Sequence, residues 1–226
     1  TWADVASGGN TLTYSPGSLF ATTLFRLQQS DTYCIPDQLV YTNTVTITVH
    51  DNLSAGTAGS DQTICYGETP VPLTATLPSG GSGSSNFLYQ WQFSTDGGST
   101  WVNDASGGNS LTYSPGSLLV ITLFRLQQSD TYCAPDQVVF TNTVTITVYD
   151  VLAAGTAGSD QTICYGETPV PLTATLPSGG SGSSNFLYQW QFSTDGGSTW
   201  ADVASGGNNL TYSPAALLVT TKYRLQ

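Results

Sequence analysis

The 226 residues carry four basic side chains against fifteen acidic ones, a net charge of −11, and only 8% of them are charged at all. So sparse and acidic a chain argues against nucleic-acid binding and against docking on an anionic membrane, since both need clustered Lys and Arg. Four cysteines, none in a C-x2-C pair, argue against a zinc knuckle and for disulfides in an oxidising, extracellular setting.

The chain repeats with a period of 99 residues, and the 47 residues from Ala55 to Trp101 recur unchanged from Ala154 to Trp200. That period exceeds the ~20–50 residues of solenoid and propeller repeats and matches one small all-β domain. The register divides the chain into the C-terminal half of one unit (1–52), a complete unit (53–151) and the N-terminal part of a third (152–226). The window opens and closes inside a repeat, which we read as a cut from a longer chain. It contains no signal peptide and no membrane-spanning run.

Within the complete unit, Asp61 to Cys65 reads as a short strand, followed by a turn at Gly67 to Pro70. Val71 to Leu77 reads as the next strand and Pro78 to Ser85 as a flexible loop. Phe87 to Ser94 alternates strictly, with Phe87, Tyr89, Trp91 and Phe93 on one face, which predicts a strand with an aromatic core side. Asp96-Gly97-Gly98 predicts a tight hairpin turn, because Gly accepts positive φ. A second turn follows at Ser114-Pro115-Gly116. Leu123 to Gln128 is a further strand. Thr141 to Val148 alternates too, with Val144, Ile146 and Val148 inward and threonines outward. No segment shows helical periodicity. The expected fold is all-β: tandem immunoglobulin-like β-sandwich domains in an extended array, with Trp91 as core tryptophan.

The hairpin has a second reading. Ser94, Asp96, Gly98 and Trp101 fit the Asp-box pattern S-x-D-x-G-x-T-W of sugar-active propellers, and Ser193, Asp195, Gly197 and Trp200 repeat it. We read it as structural: Asp96 accepts backbone N–H bonds in the turn and Trp101 packs over it. Exposed aromatics such as Tyr66, Tyr132 and Trp101 could stack on surface glycans, though packing against loops explains each one. Asp150, Asp160 and Glu167, like Asp51, Asp61 and Glu68, gather acids near a junction and make Ca2+ a candidate ligand. Calcium wants six or more oxygens with several carboxylates close together, and no such run occurs, so no cofactor is expected. The single histidine, His50, is replaced by Tyr149 one period on, so no Ser–His–Asp or Cys–His site is built into each unit and no catalytic residue is expected. Lys222 is the only lysine, which rules out lysine crosslinks as a general device.

Two disulfide schemes fit the spacing. One pairs Cys65 with Cys133 inside the complete unit; the other staples neighbours through Cys34–Cys65 and Cys133–Cys164. A self-contained unit that folds before its neighbour exists favours the first.

The segments D-Q-T-I-C-Y-G-E-T-P, L-Y-Q-W-Q-F-S-T-D-G-G-S-T-W, L-T-Y-S-P-G-S-L, F-R-L and T-N-T-V-T-I-T-V follow one another in order. Together they resemble the Ig/PKD-like tandem repeats of giant Bacteroidota cell-surface proteins, the SprB-like gliding-motility adhesins exported by type IX secretion. The resemblance covers the whole window. It implies a cell-surface or secreted location and a disulfide between Cys65 and Cys133, because in that family the two cysteines recur within single domains.

On this basis the expected function is a structural stalk or filament of a repetitive adhesin, used in attachment or gliding. Two alternatives stand beside it: a self-associating extracellular fibre subunit, and a carbohydrate-binding accessory module of a secreted hydrolase. The expected partners are neighbouring repeats, other copies in a filament and surface glycans, with neither nucleic acid nor direct membrane insertion among them.

Overall fold

The computed structural model describes residues 1–33 and 35–226. The complete repeat, whose first strand begins two residues before the boundary set by the sequence period, holds ten strands: β1 (Asp51–Ser54), β2 (Gln62–Cys65), β3 (Leu73–Thr74), β4 (Ser79–Gly81), β5 (Phe87–Ser94), β6 (Val102–Asn103), β7 (Thr112–Tyr113), β8 (Thr122–Asp130), β9 (Gln137–Phe140) and β10 (Val144–Tyr149). The main sheet runs β6-β5-β8-β10-β2, and β9 also pairs with β8. Every pairing is antiparallel except β10 with β2, where the last strand lies parallel to the first of the sheet. A smaller layer, β3 paired with β7, covers one face of this sheet. This is an immunoglobulin-like β-sandwich.

Alternation builds the core. Along β8 every second residue is buried, from Thr122 through Phe124, Leu126 and Gln128 to Asp130. Val144 and Ile146 of β10 point the same way, and Leu73 and Tyr113 close the pocket from the second layer. Trp91 fills the centre with no exposed surface. Its indole stacks on Tyr113 at 5.9 Å between centroids, and its Nε1–H donates to the Ser110 carbonyl at 2.9 Å. The buried ring thus has a partner for its one polar atom, as a core tryptophan requires. Tyr89 and Phe93 flank it half-buried, while Phe87 lies near Gly81 at the end of the strand.

The flanking repeats reproduce this register. Thr23–Phe25 pairs with Val45–Ile47, and Gln28–Asp31 with Gln38–Tyr41, as their counterparts do one period later. In the third repeat Trp190 is buried and donates to the Asn209 carbonyl at 2.8 Å.

Two expectations need correction. Pro78 to Ser85 is not simply a loop: it contains β4, which pairs with β1 and closes the N-terminal side of the unit. Close backbone approach explains the glycines there, since a Cβ on Gly80 would lie 2.2 Å from the Asn52 carbonyl oxygen. Val71 to Leu77 is ordered as a strand only at Leu73–Thr74, with one further bridge from Ala75 to Ala58. Its other apolar residues, Val71 and Leu77, are exposed.

Trp91→Ala removes the largest buried side chain of the repeat and should destabilise that unit by about 3–5 kcal/mol. Urea unfolding followed through the remaining tryptophans measures it, and an unchanged midpoint would contradict this account of the core.

Candidate functional site

The hairpin joining β5 to β6 organises around one carboxylate. Asp96 Oδ1 accepts from the Ser94 hydroxyl at 2.7 Å and from the Thr100 amide at 2.9 Å, and Oδ2 accepts from the Thr100 hydroxyl at 2.5 Å. Ser94 Oγ in turn accepts from the Gly98 amide at 2.9 Å. Gly97 and Gly98 take φ of 75° and 90°, which L side chains resist, so the turn needs glycine at both positions. Trp101 folds back and donates its Nε1–H to the Gly98 carbonyl at 3.0 Å. Asp195, Ser193, Thr199 and Trp200 repeat the arrangement nearly atom for atom. The Thr100 hydroxyl and amide, and then the Ser94 hydroxyl, hold the Asp96 carboxyl well below the usual carboxylate range. The Asp96 carboxylate and the Ser94 hydroxyl both accept from the turn's own donors, which is the geometry of a self-supporting loop.

Beside each hairpin lies a feature the motif search missed. The Arg125 guanidinium sits over Trp101 at 4.1 Å and over Phe140 at 4.0 Å from the ring centroids, so it is sandwiched between two aromatic rings. Its Nε–H donates to Gln92 Oε1 at 2.9 Å, and Gln92 in turn donates to Asn103. Arg26 is held the same way between Trp2 and Tyr41, and Arg224 covers Trp200 at 4.3 Å. The signal was present in the sequence: three of the four basic residues occupy one repeat position, 24 residues after a tryptophan. Partly exposed cation–π contacts of this kind contribute on the order of 0.5–1 kcal/mol each. One face of Trp101 is therefore taken by Arg125 and is closed to a sugar ring. Tyr66 and Tyr132 are exposed.

Three of the six acids singled out for calcium are engaged with backbone amides. Asp61 accepts from the Thr145 amide at 2.7 Å, Glu68 from the Cys65 amide at 2.8 Å and Glu167 from the Cys164 amide at 2.7 Å. Asp150 lends its carbonyl to the Gly180 amide. Among the described residues no three His, Cys, Asp or Glu side chains converge as a metal site. His50 packs edge-on against Tyr132, 5.1 Å between centroids.

The cysteines correct the pairing favoured above. Among the described residues Cys65, Cys133 and Cys164 form no disulfide with one another. Register gives the reason. Cys65 lies opposite Tyr149 at the C-terminal end of β10, beyond the N-terminal end of β8. Cys133 follows the C-terminal end of β8. The two sit at opposite ends of the sheet, about eleven strand residues or roughly 35 Å apart at ~3.3 Å per residue. A disulfide needs Cα atoms within ~7 Å. The alternative bond from Cys133 to Cys164 fails similarly, because Cys164 occupies the Cys65 position, at the far end of the third repeat. The bond from Cys34 to Cys65 involves a residue outside the described ones.

Two measurements check this site. The Asp96 carboxyl has a depressed pKa when folded, so its stabilisation is present above the unfolded value near 3.9 and is lost as pH falls through the folded one. The melting-temperature advantage of the native chain over the Asp96→Asn, Asp195→Asn variant should hold from pH 8 to 5 and shrink only below about pH 4; an advantage undiminished at pH 2 would refute it. Non-reducing peptide mapping of the oxidised, monomeric chain should yield no peptide joining Cys65 to Cys133.

Among solved structures, domains A168-A170 from titin match with 16% identity and a TM-score of 0.38, covering 90% of this chain and 67% of that one. The FN1-FN3 domains of chicken CNTN1 match with 12% identity and a TM-score of 0.27, covering 83% and 65%. No curated protein sequence matches. A family model matches twice, at residues 54–150 and again at 153–226. With most of its length inside those two matches, the chain belongs to the family described as "Domain of unknown function (DUF8696)".

Proposed function

We propose that this chain is a stretch of stalk from a repetitive extracellular protein of the adhesin kind, in which each repeat is a spacer. One observation carries the reading: the chain enters and leaves a repeat at opposite ends, and consecutive repeats meet without a linker. It enters through β1, where the Leu53 amide donates to Gln137 Oε1 beside the C-terminal end of β8. It leaves through β10, whose final residue Tyr149 lies at the other end of the sheet. The next residue, Asp150, already accepts through its carbonyl from the Gly180 amide of the third repeat at 2.9 Å. Units joined end to end in this way add length in one direction.

Three further features support the reading. The side-chain chemistry of each repeat is turned inward, in the Asp96 hairpin and the Arg125 stack. The 99-residue copies preserve these internal contacts and vary elsewhere, as at His50 and Tyr149. The net charge of −11 suits long projecting chains that must stay apart. Placement on a bacterial cell surface, export by type IX secretion and use in attachment or gliding extend this proposal on the strength of the sequence resemblance.

Electron microscopy of chains with two, four and eight repeats tests it directly. Contour length should grow by roughly 35–40 Å per repeat, the size of a sandwich of six- to nine-residue strands with its loops. A particle whose length fails to grow with repeat number would remove the stalk reading. On a glycan array the same chains should give no signal; binding by a single repeat would move the assignment to a carbohydrate-binding module.

A further inference from the structure

The two cysteines of a repeat are separated by the full length of the sheet, so each has to be considered with the neighbouring repeat. Cys65 ends β2 beside Tyr149, the last residue before the junction with the repeat that follows. Its side chain is exposed. Cys133 lies at the opposite end, in the loop after β8. The residue next to it, Tyr132, contacts His50, the last residue before the junction with the preceding repeat. His50 and Tyr149 occupy the same repeat position. The side of a junction that carries the Cys65 thiol therefore touches the same linker residue as the side that carries the Cys133 thiol. Asp51 and Asp150 both pass straight into the next unit at Gly81 and Gly180, so the two junctions are built alike.

We propose that these thiols form a disulfide across each junction, joining the Cys65-type cysteine of one repeat to the Cys133-type cysteine of the repeat after it. The inference rests on the repeats standing in series, as in the stalk reading. Each thiol gives up a proton, the two sulfurs bond, and the two electrons pass to a low-molecular-weight disulfide such as oxidised glutathione, which is reduced to two thiols. The pairing partner of Cys65 is the cysteine one period after Cys133, and neither pairing scheme expected from spacing includes it.

The test chain is the 226 residues followed by a copy of residues 128–150, which completes the third repeat and supplies its Cys133-type cysteine. After oxidation with oxidised glutathione, non-reducing peptide mapping should join Cys65 to the appended cysteine. Alkylation of Cys65 by N-ethylmaleimide should slow at least about tenfold relative to the unextended chain, with Cys133 and Cys164 unchanged. Cys65→Ser should leave the appended thiol reactive. A second variant needs no extension: His50→Cys in the 226-residue chain places a thiol where the preceding repeat meets the Cys133 loop, and it should bond to Cys133. A bond from the appended cysteine to Cys133 or Cys164 would overturn the proposal. So would alkylation of Cys65 at the unextended rate together with no bond in the His50→Cys chain. Contour length measured under reducing conditions keeps the stalk reading separate, because that length does not depend on the bond.

Discussion

The structure of the repeat depends on one strand. β8 is nine residues long and is bonded along its length to β5, while β10 and β9 divide its other edge between them. Its period of two sorts every function it has. The inward residues begin as core, with Phe124 and Leu126 against Trp91, and become polar toward the end. Gln128, fully buried, donates to the Thr76 carbonyl and accepts from the Gly56 amide, each at 2.8 Å. Asp130, equally buried, accepts from the amide and the hydroxyl of Ser82. Buried polar groups are costly unless they are bonded. These two are bonded to the incoming segment, so they fasten the start of the repeat to its middle. The outward residues include Arg125, which binds the hairpin tryptophan to the same strand.

Much of this was legible from residues alone. Phe87 to Ser94 could be read because its aromatic alternation has no competing period, and the Asp96 turn because two glycines at a hairpin have few other uses. The face assignment for this strand holds only in part: of the four aromatics Trp91 alone is sealed, and Gln92 and Ser94 on the other face are buried too, through their bonds to Asn103 and to the Asp96 turn. β1, β4, β6, β7 and β9 were missed. Gln137 to Phe140 is a short edge with one alternation, and Ser79 to Gly81 has a loop's composition because two backbones press together there.

The cysteine pairing could not be read from spacing. Separation along the chain says nothing about which end of a sheet a residue occupies; that requires the parallel register of β10 on β2. The Arg125 stack lay within reach of sequence reasoning. Its evidence was positional, a rare residue type kept at one place in every copy, and charge counting discarded that position. Both failures have one cause: the informative quantity was location in the unit, and composition averages over it.

The parallel pairing of β10 with β2 has a mechanical consequence. Tension along the chain draws β10 out through the C-terminal end of the sheet, while the segment before β2 is held toward the other end through β1. The hydrogen bonds joining the two strands then lie across the line of pull and share it together, in shear, where an antiparallel hairpin would open bond by bond. With no spacer between Tyr149 and Asp150, that tension passes from one sheet directly to the next. A repeat of this design resists stretching through its topology before any covalent bond is counted.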